Sequence, residues 1–520
     1  MIDLTQCWDV VIIGTGIGGA TVGGALARQG FSVLFLEKGG SIKAHTDLAA
    51  AGIGNGNAAQ RMAAGWWPQP VSRRRLDGTC DRFYAAIGCA SGGSSIHYAA
   101  ALGRMKRSDF DGLRTRTERL PTWPVSFDEF LPFYDAAESI YGVGAESRQA
   151  GESRFSEWDR SLMDAMRANG LKPEVLHMAI RYDEQCEECI GRVCSRGCKS
   201  DSRVACLNDA LREPRCHIVE HCDVQSLDAD GNVVRTVRAN HAGGSIEIRA
   251  RIVVLSAGAM HSPQILLKSR NSFWPQGLAN RSDKVGRNLM FHTADIYALW
   301  APRRFDRRGR QKKAMEIRDF HVYQGRRLGA VQSMGLDAGR GLIAVHIKHL
   351  LRQWGIRNEF LLSLMAKLPS HMTAWMLGEA SVFAATTEDD PDPDNRIVLD
   401  ANEPDGASFN YTINDDLRHR ADALRLLFAK HVKPWRLVRL SPTLTMNYGH
   451  PCGTCRFGDD PQLNVLDRDC KAHDVDNLYV VDASFMPRSG AINPSLTIAA
   501  NALRVAPRIA KALAFLRPSS

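Results

Sequence analysis

Asp9-Val10-Val11-Ile12-Ile13-Gly14-Thr15-Gly16-Ile17-Gly18-Gly19-Ala20 decides the fold. Residues 10–13 are a continuous β-branched run, which suits a strand buried on both faces. The glycines follow at once. Residues 20–29 are rich in small side chains and read as a helix, with Gly30 as its stop. Residues 31–36 read as a second strand, closed by Glu37, 18 residues after Gly19. Residues 9–40 therefore form one strand–helix–strand unit carrying G-x-G-x-x-G. Gly14 permits the tight turn, Gly16 lets the backbone approach a pyrophosphate, and Gly19 lets helix and strand pack closely. The helix N-terminus offers free N–H groups and the positive end of its dipole to phosphates. Glu37 is placed to accept hydrogen bonds from a ribose diol. By itself the fingerprint fits NAD and FAD equally.

Composition bounds the rest. The chain has 520 residues, 44% hydrophobic and 24% charged, which is ordinary for a globular protein and excludes a disordered chain, a coiled coil or a collagen-like repeat. The length suggests about three domain-sized units. Lys and Arg total 66 against 57 Asp and Glu, a net charge of +9. The basic residues are scattered in short runs such as Arg303-Arg304, Arg307-Arg308 and Arg310 to Lys313, so a solvated face is expected and nucleic acid is not. No stretch reaches the ~18 apolar residues of a spanning helix. The N-terminus enters a strand without the basic region and apolar run of a leader, so a cytoplasmic protein is expected. Of 13 Cys, five lie between Cys186 and Cys206, which argues for a local cluster rather than a disulfide framework.

Two further segments choose the cofactor. One is Gly88-Cys89-Ala90-Ser91-Gly92-Gly93-Ser94-Ser95-Ile96-His97-Tyr98. The other contains His450-Pro451-Cys452-Gly453-Thr454-Cys455, then Asn477-Leu478-Tyr479-Val480-Val481-Asp482-Ala483-Ser484, then Asn493-Pro494-Ser495-Leu496-Thr497. With the N-terminal fingerprint these resemble the glucose–methanol–choline (GMC) oxidoreductases. Smaller matches follow in the family's order: Trp123-Pro124, Ser256-Ala257-Gly258 with His261-Ser262-Pro263, Val285-Gly286-Arg287-Asn288-Leu289 with His292, and Pro393-Asp394-Asn395-Arg396. The resemblance spans nearly the whole chain. It implies an α/β protein, with a Rossmann-like FAD-binding domain and a second, mainly antiparallel-sheet substrate-binding domain. The FAD-binding domain is expected from residues 1–120, 200–290 and 442–520, a linker and Cys-rich cap segment from 121–199, and the substrate-binding domain from 291–441. Local pattern agrees with the return to the first domain. Residues 216–224 and 233–239 alternate like strands around an Asp230-Gly231 turn, and 248–255 form another strand. Lys268-Ser269-Arg270-Asn271-Ser272 departs from the glycines usual in the family at that loop.

The resemblance implies oxidation of an alcohol, in which a base takes the hydroxyl proton and hydride passes from carbon to the flavin N5. Such a base must lie within ~3 Å of the hydroxyl and have a pKa near working pH, which suits His. Among 16 His, the family motif singles out His450. The family's second catalytic position is Asn493, whose amide can donate to the substrate oxygen. Pro494 suits the first turn of a helix continuing from Ser495, and that helix would aim its N-terminus at the flavin's pyrimidine edge. The resemblance further implies cofactor contacts from Gly92, Gly93, Ser94, Ser95, Ala257, Asp482 and Ala483. In pyranose oxidases the His matching His97 is bonded to FAD; here a noncovalent His97 is the preferred expectation.

Asn493 together with His97 is similar to the sugar-oxidising branch of the family. The expected activity is FAD-dependent oxidation of a sugar, glycoside or polyol CH–OH to the aldehyde or ketone, with dioxygen, a quinone or a redox protein accepting the electrons. The alternatives are a long-chain, sterol or aromatic alcohol oxidoreductase, favoured if the apolar stretch 347–376 lines the pocket, a non-redox flavin lyase of the same fold, and an electron-relaying flavoprotein. Otherwise 347–376 is expected to be an amphipathic helix pair packed on the substrate domain.

Cys186-x2-Cys189-x4-Cys194-x3-Cys198-x7-Cys206 remains to be explained. Thiolates so spaced can ligate zinc or an iron–sulfur cluster, and some multi-subunit sugar dehydrogenases of the family carry such a cluster. Long-chain alcohol oxidases have a similar Gly-Cys-Lys segment without one. A metal-free loop of packed or disulfide-paired thiols is preferred, with a cluster on Cys186, Cys189, Cys194 and Cys198 as the alternative. The acidic run Glu388-Asp389-Asp390-Pro391-Asp392 is expected to be a solvated loop, one that would gain a purpose beside an amino sugar.

Overall fold

The computed structural model describes residues 2–42, 57–75, 78–111, 122–144, 155–183, 186–300, 312–335, 361, 364–365, 380–441 and 443–516. β1 (Cys7–Ile13) is buried from Trp8 onward, as its aliphatic run demands. It pairs in parallel with β2 (Val33–Leu36) on one side and Gly244–Leu255 on the other. α1 (Ile17–Ala27) joins β1 to β2. It begins earlier than the small-residue run suggested, because the glycines at 18 and 19 are part of the helix. A Cβ on Gly18 would stand 2.2 Å from the Val481 carbonyl oxygen, and one on Gly19 2.1 Å from that of Gly14. Gly14 itself sits at φ +96°, a conformation that favours glycine.

Cys216–Val219 continues the sheet beyond β2, and Leu478–Val480 lies beside Gly244–Leu255, both in parallel. The hairpin Asp223–Asp230 and Val233–His241 completes seven strands and feeds antiparallel into Gly244–Leu255. The chain thus leaves β1 to one side through α1 and returns on the other. That reversal opens a crevice at the carboxyl ends of the strands, where ligands bind in sheets of this kind.

A second sheet of seven strands is antiparallel throughout. Its central strand, Met290–Trp300, pairs with Ser381–Thr387, Arg436–Arg439 and Thr445–Cys452, and the sheet continues through Gly329–Ser333 and Met315–Ile317 to Pro173–Val175. A four-stranded sheet joins Val71–Arg74 and Cys80–Phe83 to Ala407–Asn410 and Arg396–Leu399. The helix Ser495–Leu516 packs against α1 and against Phe127–Tyr141. Among the described residues no helix is long and apolar enough to cross a membrane. The stretch 347–376 lies outside the described residues except at Leu361, Leu364 and Met365, which are exposed.

The acidic run is not a solvated loop. Glu388 and Asp389 are 1% and 2% exposed. Arginines distant in sequence neutralise the run: Arg488 Nη2 lies 2.8 Å from Glu388 Oε1, and Arg420 Nη2 2.8 Å from Asp390 Oδ2. Asp389 accepts from Tyr411 OH at 2.7 Å and from the Phe291 amide at 3.0 Å, while burial pushes its pKa up to about 7. A charge run reads as solvated only while its partners are unknown. Here they are Arg420 and Arg488, beyond any local window.

Candidate active site

A cavity of about 770 Å³ opens at the carboxyl ends of the parallel strands and reaches the antiparallel sheet. Gly14, Gly16, Glu37, Gly93, Ser94, Ser95, His97, Ala257, Asp482, Ala483, Asn493, Pro494, Ser495 and His450 all line it. Gly19 and Gly92 do not. Gly19 closes the helix–strand packing, and the Gly92 amide donates to Thr15 Oγ1 at 2.9 Å.

The glycine end is backbone architecture. A Cβ on Gly16 would meet nothing within 4 Å, so that atom would occupy the cavity, and Gly93 is so near that its own Cβ would stand 2.9 Å from Gly16 Cα. Glu37 Oε2 accepts from the Thr15 amide at 3.0 Å and from Thr15 Oγ1 at 2.6 Å, and Oε1 from the Gly39 amide at 3.0 Å. Burial still raises its pKa. Asp482 ties the other walls together. It accepts from the Gly258 amide at 2.9 Å and the Ser484 amide at 2.8 Å, and it is held by the Ser262 hydroxyl. Burial raises its pKa as well.

His97 stacks on Trp66, with centroids 3.7 Å apart and planes 11° apart. Its Nε2 lies 3.3 Å from the Gly65 carbonyl, which can only accept, so Nδ1 carries the lone pair; Nδ1 has no hydrogen-bond partner. Burial and the Lys199 charge lower the His97 pKa to about 4. Beside it, Trp67 stacks on His261 at 3.6 Å, holds Asp405 through Nε1 at 3.1 Å, and carries the Lys38 ammonium 4.2 Å over its ring. Nothing in the spacing of these four residues announced that wall.

The reacting end is made of side chains. Thr445–Cys452 carries Asn447 and His450 out of the antiparallel sheet. His292 Nε2 lies 3.2 Å from the Ser489 carbonyl, so it bears the proton and its Nδ1 accepts. That Nδ1 is 3.0 Å from His450 Nδ1. His450 therefore donates from Nδ1 and keeps Nε2 as a lone pair, the form a general base needs. Asn447 Nδ2, at 3.2 Å from the same Nδ1, favours the opposite tautomer, and the shorter contact to His292 outweighs it. The exposed part of His450 faces the cavity, and burial, then His292 and Lys313, lower its pKa to about 3, well below the near-working-pH value expected of the base from sequence. Asn493 Nδ2 donates to Gln332 Oε1 at 3.4 Å, and Gln332 Nε2 to Glu316 Oε2 at 3.3 Å. Sequence reading named His292 only as part of a motif and missed Gln332 and Glu316, whose signal is three-dimensional.

The pattern of the GMC oxidoreductases matches residues 9–294 for its N-terminal part and 391–502 for its C-terminal part. The chain belongs to the GMC oxidoreductase family. It is 26% identical to 6'''-hydroxyparomomycin C oxidase of Streptomyces lividus, covering 98% of this chain and 92% of that one. It is 28% identical to paromamine 6'-oxidase of Streptomyces fradiae over the same shares. The fold is that of pyridoxine 4-oxidase from Mesorbium loti, with a TM-score of 0.65 at 20% identity, covering 97% of this chain and 99% of that one. This GMC oxidoreductase is an FAD-dependent, alcohol-oxidising enzyme, and its cavity fits FAD. The open space at Gly16, the bare N-terminus of α1 and the unpartnered Nδ1 of His97 are what a dinucleotide carrying a polar ring system would fill.

The cysteine loop of the GMC oxidoreductase lies apart. Cys186, Cys189, Cys194 and Cys198 line a second cavity of about 250 Å³. Cys206 has left them for the core, where its Sγ lies 3.7 Å from Thr21 Oγ1. All thirteen thiols are free, so disulfides do not hold the loop. Lys199 holds it instead. Its buried ammonium donates to the carbonyls of Ile96, Tyr98, Cys189 and Arg192 at 2.7–3.0 Å. Burial lowers its pKa to about 8. Among the described residues no three His, Cys, Asp or Glu side chains gather closely enough to hold a metal ion. Burial works to raise the Cys194 thiol, but backbone donors from Lys199, Arg196 and Cys198 bring it below its ordinary pKa.

Proposed function

We propose that this enzyme oxidises a CH–OH of a sugar, glycoside or polyol, with His450 as base. The observation that carries the reading is the Ser489–His292–His450 relay, which leaves Nε2 of His450 unprotonated in a cavity shared with Asn493. FAD, when bound, supplies the two-electron acceptor for the hydride on carbon. The chain's residues do the rest. Asn493 spends one N–H on Gln332 and has the other for the substrate oxygen. His450 takes the hydroxyl proton at Nε2, and the imidazolium formed stays anchored through its Nδ1–H to His292.

Polar neutral groups on the cavity wall (Asn447, Gln332 and Thr386) favour a hydroxylated substrate over a hydrocarbon chain. The names of the two relatives, oxidases of paromamine and of 6'''-hydroxyparomomycin C, agree with oxidation of a hydroxylated compound. Free thiols throughout suit the reducing cytoplasm. Dioxygen, a quinone or a redox protein serves as acceptor.

Anaerobic mixing with a panel of sugars, polyols and hydrophobic alcohols tests the reading. Sugars or polyols are expected to bleach the flavin fastest. Bleaching by long-chain or aromatic alcohols alone, or by none, would overturn it.

A further inference from the structure

Lys313 is a buried cation on the cavity wall to which the chemistry above gives no part beyond its charge acting on His450. It is 4% exposed. Its ammonium has three N–H groups but, among the described residues, reaches one oxygen, the Ser333 carbonyl at 3.3 Å, and the Met334 sulfur at 3.8 Å. Glu188 and Glu316 face the same ammonium without pairing with it. Glu188 is held by Tyr182 OH at 2.9 Å and the Lys313 backbone amide at 3.2 Å; Glu316 is held by Gln332 and by Arg318 at 3.6 Å. Among the described residues these carboxylates and His450 are the ionisable groups around it. Burial lowers the Lys313 pKa to about 8, so it remains mainly charged at neutral pH.

The carboxylates on the cavity wall, among the described residues, are all engaged elsewhere. Glu37 and Asp482 hold the glycine end, Asp223 pairs with Lys38 at 3.2 Å, and Asp405 with His261 at 3.2 Å. Among the described residues the cavity wall at the reacting end therefore shows one under-satisfied cation and no carboxylate, with Glu188 and Glu316 lying behind it. A buried ammonium short of acceptors gains by taking one from a ligand and loses by meeting a second cation.

We infer that Lys313 is the specificity-determining residue of this site. It donates to a hydroxyl or ring oxygen of a neutral sugar or polyol whose reacting carbinol lies between His450 and Asn493, and it rejects a protonated amine at that place. The inference rests on the proposed sugar or polyol oxidation and names its charge class. Lys313 ends the short basic run 310–313, and only the fold brings it to the cavity.

The test uses the FAD-loaded enzyme at pH 6.5, where Lys313 and sugar amines carry protons. Anaerobic flavin reduction is measured with D-glucose against glucosamine, D-galactose against galactosamine, and sorbitol against 1-amino-1-deoxysorbitol. The wild type is expected to favour the neutral member at least ~10-fold in kcat/KM. Lys313→Met should raise KM for the neutral member ~10-fold, leave the limiting reduction rate within ~3-fold, and narrow the discrimination to within ~3-fold. Lys313→Arg should restore discrimination, and flavin absorbance shows whether each variant still holds FAD. If Lys313→Met fails to load, Lys313→Gln replaces it. Equal or better use of the amino compounds by the wild type overturns the inference, as does discrimination unchanged in Lys313→Met or Lys313→Gln. If no sugar or polyol reduces the flavin while benzyl or long-chain alcohols do, the parent reading falls with it. Sugars oxidised without dependence on Lys313 sink this inference alone.

Discussion

The two ends of the main cavity are built in opposite ways. At the glycine end the wall is backbone, and several positions tolerate no side chain at all: an atom added to Gly18 meets the Val481 carbonyl oxygen at 2.2 Å. At the reacting end the wall is side chain, contributed by strands and turns far apart in sequence, and its meaning lies in proton positions: Ser489 to His292 to His450. A backbone wall is dictated by spacing along the chain. A side-chain wall is dictated by topology, so chemistry there is free to vary while the cofactor end stays fixed.

Mutation can break this contrast. The largest effect is expected at the glycines. Gly19→Ala should yield no stable FAD-binding protein, because the obstructing atom is backbone and cannot move aside. Gly16→Ala should fold, since its Cβ meets nothing, but lose at least ~10-fold in FAD affinity by occupying ligand space. Thermal melts of the apoprotein and FAD titrations separate the two. Equal behaviour would refute the idea that one glycine serves packing and the other the ligand.

Next comes the proton relay. His450→Ala should keep FAD and lose at least ~100-fold in flavin reduction, the scale of an acid–base group. His292→Phe leaves Asn447 Nδ2 as the neighbour of His450 Nδ1, a donor that selects the wrong tautomer. A fall on the order of 10–100-fold is expected, since a misassigned tautomer alone can disable a histidine base. His292→Asn, which restores an acceptor, should recover part of it. Unchanged stopped-flow rates in His292→Phe would show that the tautomer is set elsewhere.

A smaller effect concerns pH. The base must be unprotonated, and burial holds His450 at about 3, well below an ordinary imidazole. Protonation then sets in only as pH falls toward that value. The reduction rate should stay flat from pH 8 to pH 5 as far as His450 is concerned. An acid limb centred near 6.5 would mean that the imidazole titrates as if in water.

The smallest expected difference is at His97. Its Nδ1 is unpartnered, yet the ring is already fixed by Trp66 and Gly65. Acid precipitation should release the flavin into the supernatant; fluorescence retained by the pellet would establish a covalent link.

These contrasts explain what could be read in the chain alone. The unit 9–40, the strand leading into Ser256 and the segments at 450 and 493 are local patterns; the second, antiparallel sheet is implied only by the family resemblance that those patterns carry. The acidic run 388–390 was misread because its meaning depends on Arg420 and Arg488, which no local window includes. Lys313, expected on a solvated face as the end of the basic run 310–313, is buried instead, and Gln332 carries no local signal, for the same reason. The cysteine spacing pointed to a special loop but not to its fastener, because a lone Lys after Gly-Cys carries no signal until four carbonyls are seen around it.

That fastener has a mechanical consequence. Lys199 has three hydrogens for four carbonyl oxygens, two on the cysteine loop and two on the wall that carries His97. Withdrawing the ammonium strands every one of those oxygens together, and each stranded group costs about 1–3 kcal/mol if it stays dry. The contact therefore behaves as a latch with two positions, shut or released, rather than as a hinge that slackens by degrees. Because its hold is directional and not apolar, cooling does not loosen it as it loosens hydrophobic contacts.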